Sequence, residues 1–216
     1  QLSEVQNRIN TGLKVASAKD DGAIFAIAQS MRGDVKAFDA VSNSISRAES
    51  TVDVALAAGE AISDLLIEMK EKALAASDAS LDSASRTALN EDFEALRDQI
   101  TTVVDNAEFN GVNLINGDTA QITALANADG SNTLTVAAEV MGLGTTGSVL
   151  TITGGTAVDT VTNASDALTA LDTSINQLNA GLARLGTGSK ALEIQNTFVS
   201  KIQDATEAGI GNLVDA

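Results

Sequence analysis

The 216-residue sequence predicts a mainly α-helical protein, an elongated antiparallel bundle of long helices with a small β-hairpin or β-rich segment at one end. Three observations carry that expectation. Proline is absent throughout, as long unkinked helices require. Apolar residues recur at alternating steps of three and four through three separate stretches. Between the second and third, the composition shifts to Thr, Gly, Val and Asn.

The first helical stretch runs from Gly22 to Ala76. Ile24, Met31, Phe38, Ile45, Val52, Leu66 and Ala73 stand in one heptad register. Ile27, Val41, Ala48, Ala55, Ile62, Met69 and Ala76 interleave with them, interrupted only at Asp34 and Gly59. A continuous helix of this length is roughly 80 Å long and cannot bury its seam against itself. Partner helices must follow. Before it, Gln1 to Arg8 reads as the tail of a helix through Leu2, Val5 and Ile9, and Asn10-Thr11-Gly12 breaks the pattern. The connector from Leu13 to Asp21 ends in Asp20-Asp21, suited to capping the long helix.

The polar run Ser77-Asp78-Ala79-Ser80 closes that helix. Ser83 or Ser85 can cap a second, about 83–107, with Leu89, Phe93, Leu96, Ile100, Val103 and Ala107 on its seam. The short link makes the pair antiparallel. A β-rich insert is expected at about 109–162, beginning with Asn-Gly turn signals at 110–111 and 116–117. Within it Leu134-Thr135-Val136 and Val149-Leu150-Thr151-Ile152-Thr153 alternate as strands do, and Asp129-Gly130 and Gly154-Gly155 look like turns. Ser165 can cap a third helix, about 165–216, presenting Leu168, Leu171, Ile175, Leu178, Leu182, Leu185, Leu192, Val199 and Ile202. Gly186-Thr187-Gly188 should be its weak point. Antiparallel packing of the three as a single domain, 1–216, would bury all three seams and put Gln1 and Ala216 at the same end.

Composition narrows function. With no His and no Cys, most nucleophile–base and transition-metal constellations are unavailable, so no catalytic, cofactor or metal site is expected. The net charge of −16 argues against nucleic acid and anionic lipid as partners. No apolar run is long enough for membrane insertion. Asp20-Asp21 reads better as a cap than as an acid–base pair, and Asp129-Gly130-Ser131-Asn132 lacks the ligand alternation of a calcium loop. Asn163-Ala164-Ser165 matches a glycosylation pattern that is commonplace by chance, and Lys70, Glu71 and Lys72 read as a solvated face.

Ile9-Asn10-Thr11-Gly12-Leu13-Lys14-Val15 followed by Ser17, Ala18, Lys19, Asp20 and Asp21 resembles the signature of bacterial flagellins. In the same register, Ala26-Ile27-Ala28, Met69-Lys70-Glu71 and Phe109-Asn110-Gly111-Val112 match further family motifs without a gap. Ala164 to Ala216 is similar more loosely, through Gly181-Leu182-Ala183-Arg184-Leu185-Gly186 and the closing Gly211-Asn212-Leu213-Val214-Asp215-Ala216. Asp118 to Thr162 falls where the family is variable.

The resemblance implies a non-enzymatic, extracellular subunit of the flagellar filament that serves motility. It implies other flagellin subunits, an export chaperone and a cap protein as partners. The family's polymerising terminal segments are missing from this sequence, so the resemblance also implies a core that does not itself polymerise. One departure bears on recognition. Where receptor-sensed flagellins carry Leu-Gln-Arg-apolar-Arg-Glu-Leu, this chain has Leu66-Ile67-Glu68-Met69-Lys70-Glu71-Lys72. Glu68 then replaces a contact arginine and Lys72 a contact leucine, and Asp92 stands where glutamate is usual. Reversing charge at a central arginine removes a hot spot of about 2 kcal/mol or more. The plainer alternative is ordinary exposed helix surface. The rival function is a cell-surface adhesin or glycan-binding homologue using the Thr/Gly-rich insert, weakened by the absence of Trp and Tyr.

Overall fold

The computed structural model describes Gln6 and residues 9–215. About two-thirds of the chain, 66%, is helical. Helix α1 spans Gly22–Ala76, α2 spans Ser83–Asn106 and α3 spans Val161–Val214. Between α2 and α3 lie strands β1, Glu108–Phe109, and β2, Val112–Asn113, then β3, Gln121–Leu125, and β4, Thr133–Ala137. Among the described residues, β1 pairs only with β2, and β3 only with β4. Leu2 and Val5 of the expected leading helix, and the expected meeting of Gln1 with Ala216, lie outside the described residues.

Cap chemistry decides the helix boundaries. Asp21 Oδ1 accepts from the backbone N–H groups of Ala23 and Ile24, each at 3.0 Å, so α1 starts at Gly22. Asp20 is not part of that cap; its Oδ2 accepts from Ala16 N, Ser17 N and the Ser17 hydroxyl and folds the connector. The cap of α2 is Asp82, which accepts from Ala84 N and Ser85 N, rather than Ser83 or Ser85. α3 begins at Val161, with Thr160 Oγ1 accepting from Asn163 N, so the expected cap Ser165 lies inside the helix.

The chain forms two compact units. The first gathers the described residues up to Arg47, the tip Ala124–Leu134, and the chain from Leu192 onward. Here α1 and α3 run antiparallel: Asp39 pairs with Gln203 at 2.7 Å and Ser42 with Asn196 at 2.9 Å. A small core of Val15, Ala28 and Val214 is flanked by Leu13, Ile24, Phe25, Ile210 and Leu213. A Leu13–Asp215 bridge closes it, with Lys14 N donating to Val214 O at 2.8 Å. This connector changes the seam. It covers the face of Ala28, which is buried, while Ile27, expected on the seam, is 53% exposed.

The second unit comprises Ala48–Thr123 and Thr135–Ala191. Its core is apolar and closed: Val52, Ile62, Leu66 and Met69 of α1, Phe93 and Ile100 of α2, and Leu171, Leu178 and Leu185 of α3 are all fully buried. On α2 Val104 is buried, and Val103 only half-buried. Met141 and Ile152 from the connecting segment complete this core. The predicted strand Val149–Thr153 is not a strand. Its alternation holds, with Leu150 and Ile152 inward, but Thr151 N and Ile152 N donate to Ser174 Oγ and Thr151 Oγ1 to Ala170 O, all on α3.

Two glycines mark close approaches here. A Cβ at Gly59 would lie 2.5 Å from Leu182 Cδ2 and 3.2 Å from Met141 Cε. A Cβ at Gly188 would lie 2.6 Å from Cγ1 of Val136 on β4. α3 passes through Gly186-Thr187-Gly188 unbroken, because burial there outweighs the glycine propensity cost of about 1 kcal/mol each.

Candidate functional site

The signature residues that carried the resemblance fall into two local structures. Ser17 to Asp21 form the turn before α1, in which Asp20 accepts three hydrogen bonds and Asp21 caps the helix. Lys14, three residues before Ser17, anchors this connector by donating from Nζ to Asn212 O at 2.9 Å. Phe109, Asn110 and Gly111 make the β1–β2 hairpin, registered Glu108 to Asn113 and Phe109 to Val112. Asn110 and Gly111 have φ of 51° and 79°, which a tight two-residue hairpin turn demands of both central residues. Asn113, buried, donates from Nδ2 to Val104 O at 2.7 Å and accepts from Ile115 N and Asn116 N. The motif thus ends α2 and starts the connecting segment. Both signatures place backbone, and neither assembles reacting groups.

Of the three positions singled out for recognition, the structure brings two together. Lys72 on α1 reaches Asp92 on α2, Nζ to Oδ2, at 2.7 Å. That hydrogen bond, and next its charge, holds the Lys72 ammonium above its ordinary range despite partial desolvation. Glu68 is exposed one turn earlier on α1. Lys70, also partly solvated, pairs with Asp172 of α3 at 2.5 Å.

Two features escaped the sequence reading. Arg86 is buried, and its guanidinium donates to three main-chain carbonyls: Ala76 O, Asp78 O at 3.1 Å and Leu81 O at 3.1 Å. It closes the end of α1 against the start of α2, where helix carbonyls lack partners. A signal existed, since Arg86, Phe93 and Ile100 are spaced by heptads and Arg86 occupies a seam position. The other is Glu139, whose side chain is only 10% exposed and which accepts from Arg184 Nε and Nη2, both at 2.6 Å. The bidentate fork compensates the buried carboxylate and raises the Arg184 pKa further. Its trace was faint. Glu139 is the only glutamate between Glu108 and Glu193, and Arg184 the only arginine after Arg97.

Among the described residues, no group of three His, Cys, Asp or Glu side chains could hold a metal ion, and no helix is long and apolar enough to cross a membrane. Several large apolar side chains nevertheless stand in solvent: Ile67 and Leu74 on α1, and Ile194 and Phe198 on α3. Beside Phe198 lies an open groove of about 460 Å³, lined by Phe38, Ile202 and the hairpin tip Ala126–Asp129. Long helices with filled inner seams and a few large apolar side chains left outward are built to pack against other surfaces.

The particular class follows from comparison. Residues 1–120 match the family model for the bacterial flagellin N-terminal helical region. The whole chain is 51% identical to Flagellin FljK and 50% identical to Flagellin FljM of Caulobacter vibrioides, covering 77% of each. A flagellin of Brucella melitensis is 30% identical over the whole chain and 78% of its own length. Among solved structures, Bacillus cereus flagellin superposes with a TM-score of 0.62 at 23% identity, over 72% of this chain and 88% of that one. A putative flagellar hook-associated protein from Vibrio parahaemolyticus does so with 0.73 at 15% identity, over 91% and 100%. The chain belongs to the bacterial flagellin family. It is a non-enzymatic structural subunit of the extracellular flagellar filament, it supports motility, and its partners are other flagellin subunits.

Proposed function

We propose that the exposed apolar side chains of α1 and α3 are the surfaces through which this flagellin packs against neighbouring subunits. The observation that carries this reading is the exposure of Phe198, at 54%, and Ile194, at 60%, on the same face of α3 one turn apart. Adjacent large apolar residues left in solvent are characteristic of a surface that becomes covered. The test is Phe198→Asp in the full-length protein. Filament formation, seen by electron microscopy, is expected to fail while circular dichroism and melting temperature stay unchanged, because Phe198 contributes little to the folded core. Normal filaments from the variant would overturn the proposal.

The export chaperone and the filament cap protein belong to the same reading as partners of the unassembled and the incorporating subunit. The adhesin alternative has no support among the relatives.

Glu68, Lys72 and Asp92 support a second reading, weak activation of the vertebrate flagellin receptor. Glutamate cannot donate the planar array of hydrogen bonds that arginine offers. Lys72, already paired with Asp92, is less available to a partner. A cell reporter comparing this chain with Glu68→Arg/Lys72→Leu is expected to respond only to the double variant. Full potency from the unmodified chain would sink it.

A further inference from the structure

Two asparagines in this chain precede glycine, Asn110 and Asn116, and the structure treats them differently. Asn116 is fastened. Its Nδ2 donates to Asp118 Oδ2 at 2.7 Å, and its Oδ1 accepts from Asp118 N at 2.9 Å. The following Gly117 is crowded, since a Cβ there would lie 3.2 Å from Thr145 Cγ2. Asn110 is exposed, and neither its side-chain amide nor the Gly111 N–H has a hydrogen-bond partner among the described residues. Nothing would lie within 4 Å of a Cβ at Gly111. The hairpin holding this turn has strands of two residues each, a size that is marginal alone and opens locally.

We infer that Asn110 is a site of spontaneous deamidation and backbone isomerisation, and that Asn116 is protected. In the opened turn the Gly111 amide gives its proton to solvent base, and its nitrogen bonds to Asn110 Cγ. The Cγ–Nδ2 bond breaks, and the nitrogen leaves as ammonia. Water then opens the resulting five-membered imide at either carbonyl, giving aspartate or isoaspartate. The net change is one water consumed and one ammonia released. Isoaspartate adds a methylene to the main chain, which a two-residue turn cannot hold, so the Glu108–Asn113 register is lost with it. An extracellular filament subunit is exposed to this chemistry for as long as the filament lasts.

The experiment incubates the purified chain at mildly alkaline pH and follows both asparagines by peptide mass spectrometry, with isoaspartate scored by enzymatic methylation. Asn110 is expected to convert about tenfold or more faster than Asn116, which must first lose two hydrogen bonds. The variant Asp118→Ala, which removes the carboxylate holding Asn116, is expected to speed conversion at Asn116 and leave Asn110 unchanged. Equal rates at the two sites, or no conversion at Asn110 after the urea-unfolded chain has converted fully, would overturn the inference. So would an unaltered Asn116 rate in Asp118→Ala.

Discussion

The same two helices, α1 and α3, share an apolar seam in both units, but what flanks that seam differs. In the second unit the contact is a filled apolar seam with Ile62, Leu66, Met69, Leu178 and Leu185 out of water. In the first the seam continues through Val41, Ile45, Leu192 and Val199, equally buried, but without α2 it closes over fewer apolar side chains, and polar pairs flank it: Asp39 with Gln203 and Ser42 with Asn196. Apolar burial scales with area, whereas each neutral hydrogen bond contributes only about 1 kcal/mol net. The second unit is therefore the expected source of most of the stability. The first adds specific register through its polar pairs, and it leaves Ile27, Ile194 and Phe198 facing outward.

The largest test of this contrast is a pair of truncations. Phe93→Ala in the second unit should cost about 3–5 kcal/mol, and Asn196→Ala in the first about 1 kcal/mol, measured by denaturant titration. Equal losses would break the comparison. A finer test uses one glycine from each unit. Gly59→Ala should destabilise by about 1–3 kcal/mol, because Leu182 and Met141 occupy the space. Gly209→Ala meets only the end of the flexible Met31 side chain, at 3.0 Å, so helix propensity should make it neutral or stabilising by up to about 1 kcal/mol.

The smallest effect expected is with pH. Backbone and hydroxyl hydrogen bonds from Ser85 hold Asp82 below the ordinary aspartate range, and those from Ser80 do the same for Asp78. A depressed folded-state pKa means these caps stabilise fully above the unfolded aspartate value, and their contribution is lost as pH falls through the folded one. Asp82→Asn should flatten the acid limb of the stability curve in proportion. An unchanged limb would assign acid sensitivity elsewhere.

Legibility in the sequence divided along physical lines. α1 was readable to the residue because its heptad pattern is sustained and both ends carry polar stop signals. Ile27 was misplaced because burial there depends on Val15, a residue supplied by the connector, and periodicity within a helix cannot see a non-local cover. The alternation of Leu150 and Ile152 was genuine, yet it could not say that their backbone would bond to Ser174 rather than to another strand. For the functional surfaces, the signature positions are evident, but the pairing of Lys72 with Asp92 and the different surroundings of Asn110 and Asn116 depend on spatial neighbours.

Arg86 carries a consequence for how such a chain can drift. All three of its acceptors are main-chain carbonyls, so the clamp reads the path of the backbone and is indifferent to most side chains along it. Mutations at Ser77 or Ala79 can accumulate without loosening the hairpin, provided the path is kept. Arg86 itself has no such freedom, because lysine cannot reach three carbonyls from one planar group. Between homologues this corner should therefore show a hypervariable loop tied to one immobile arginine.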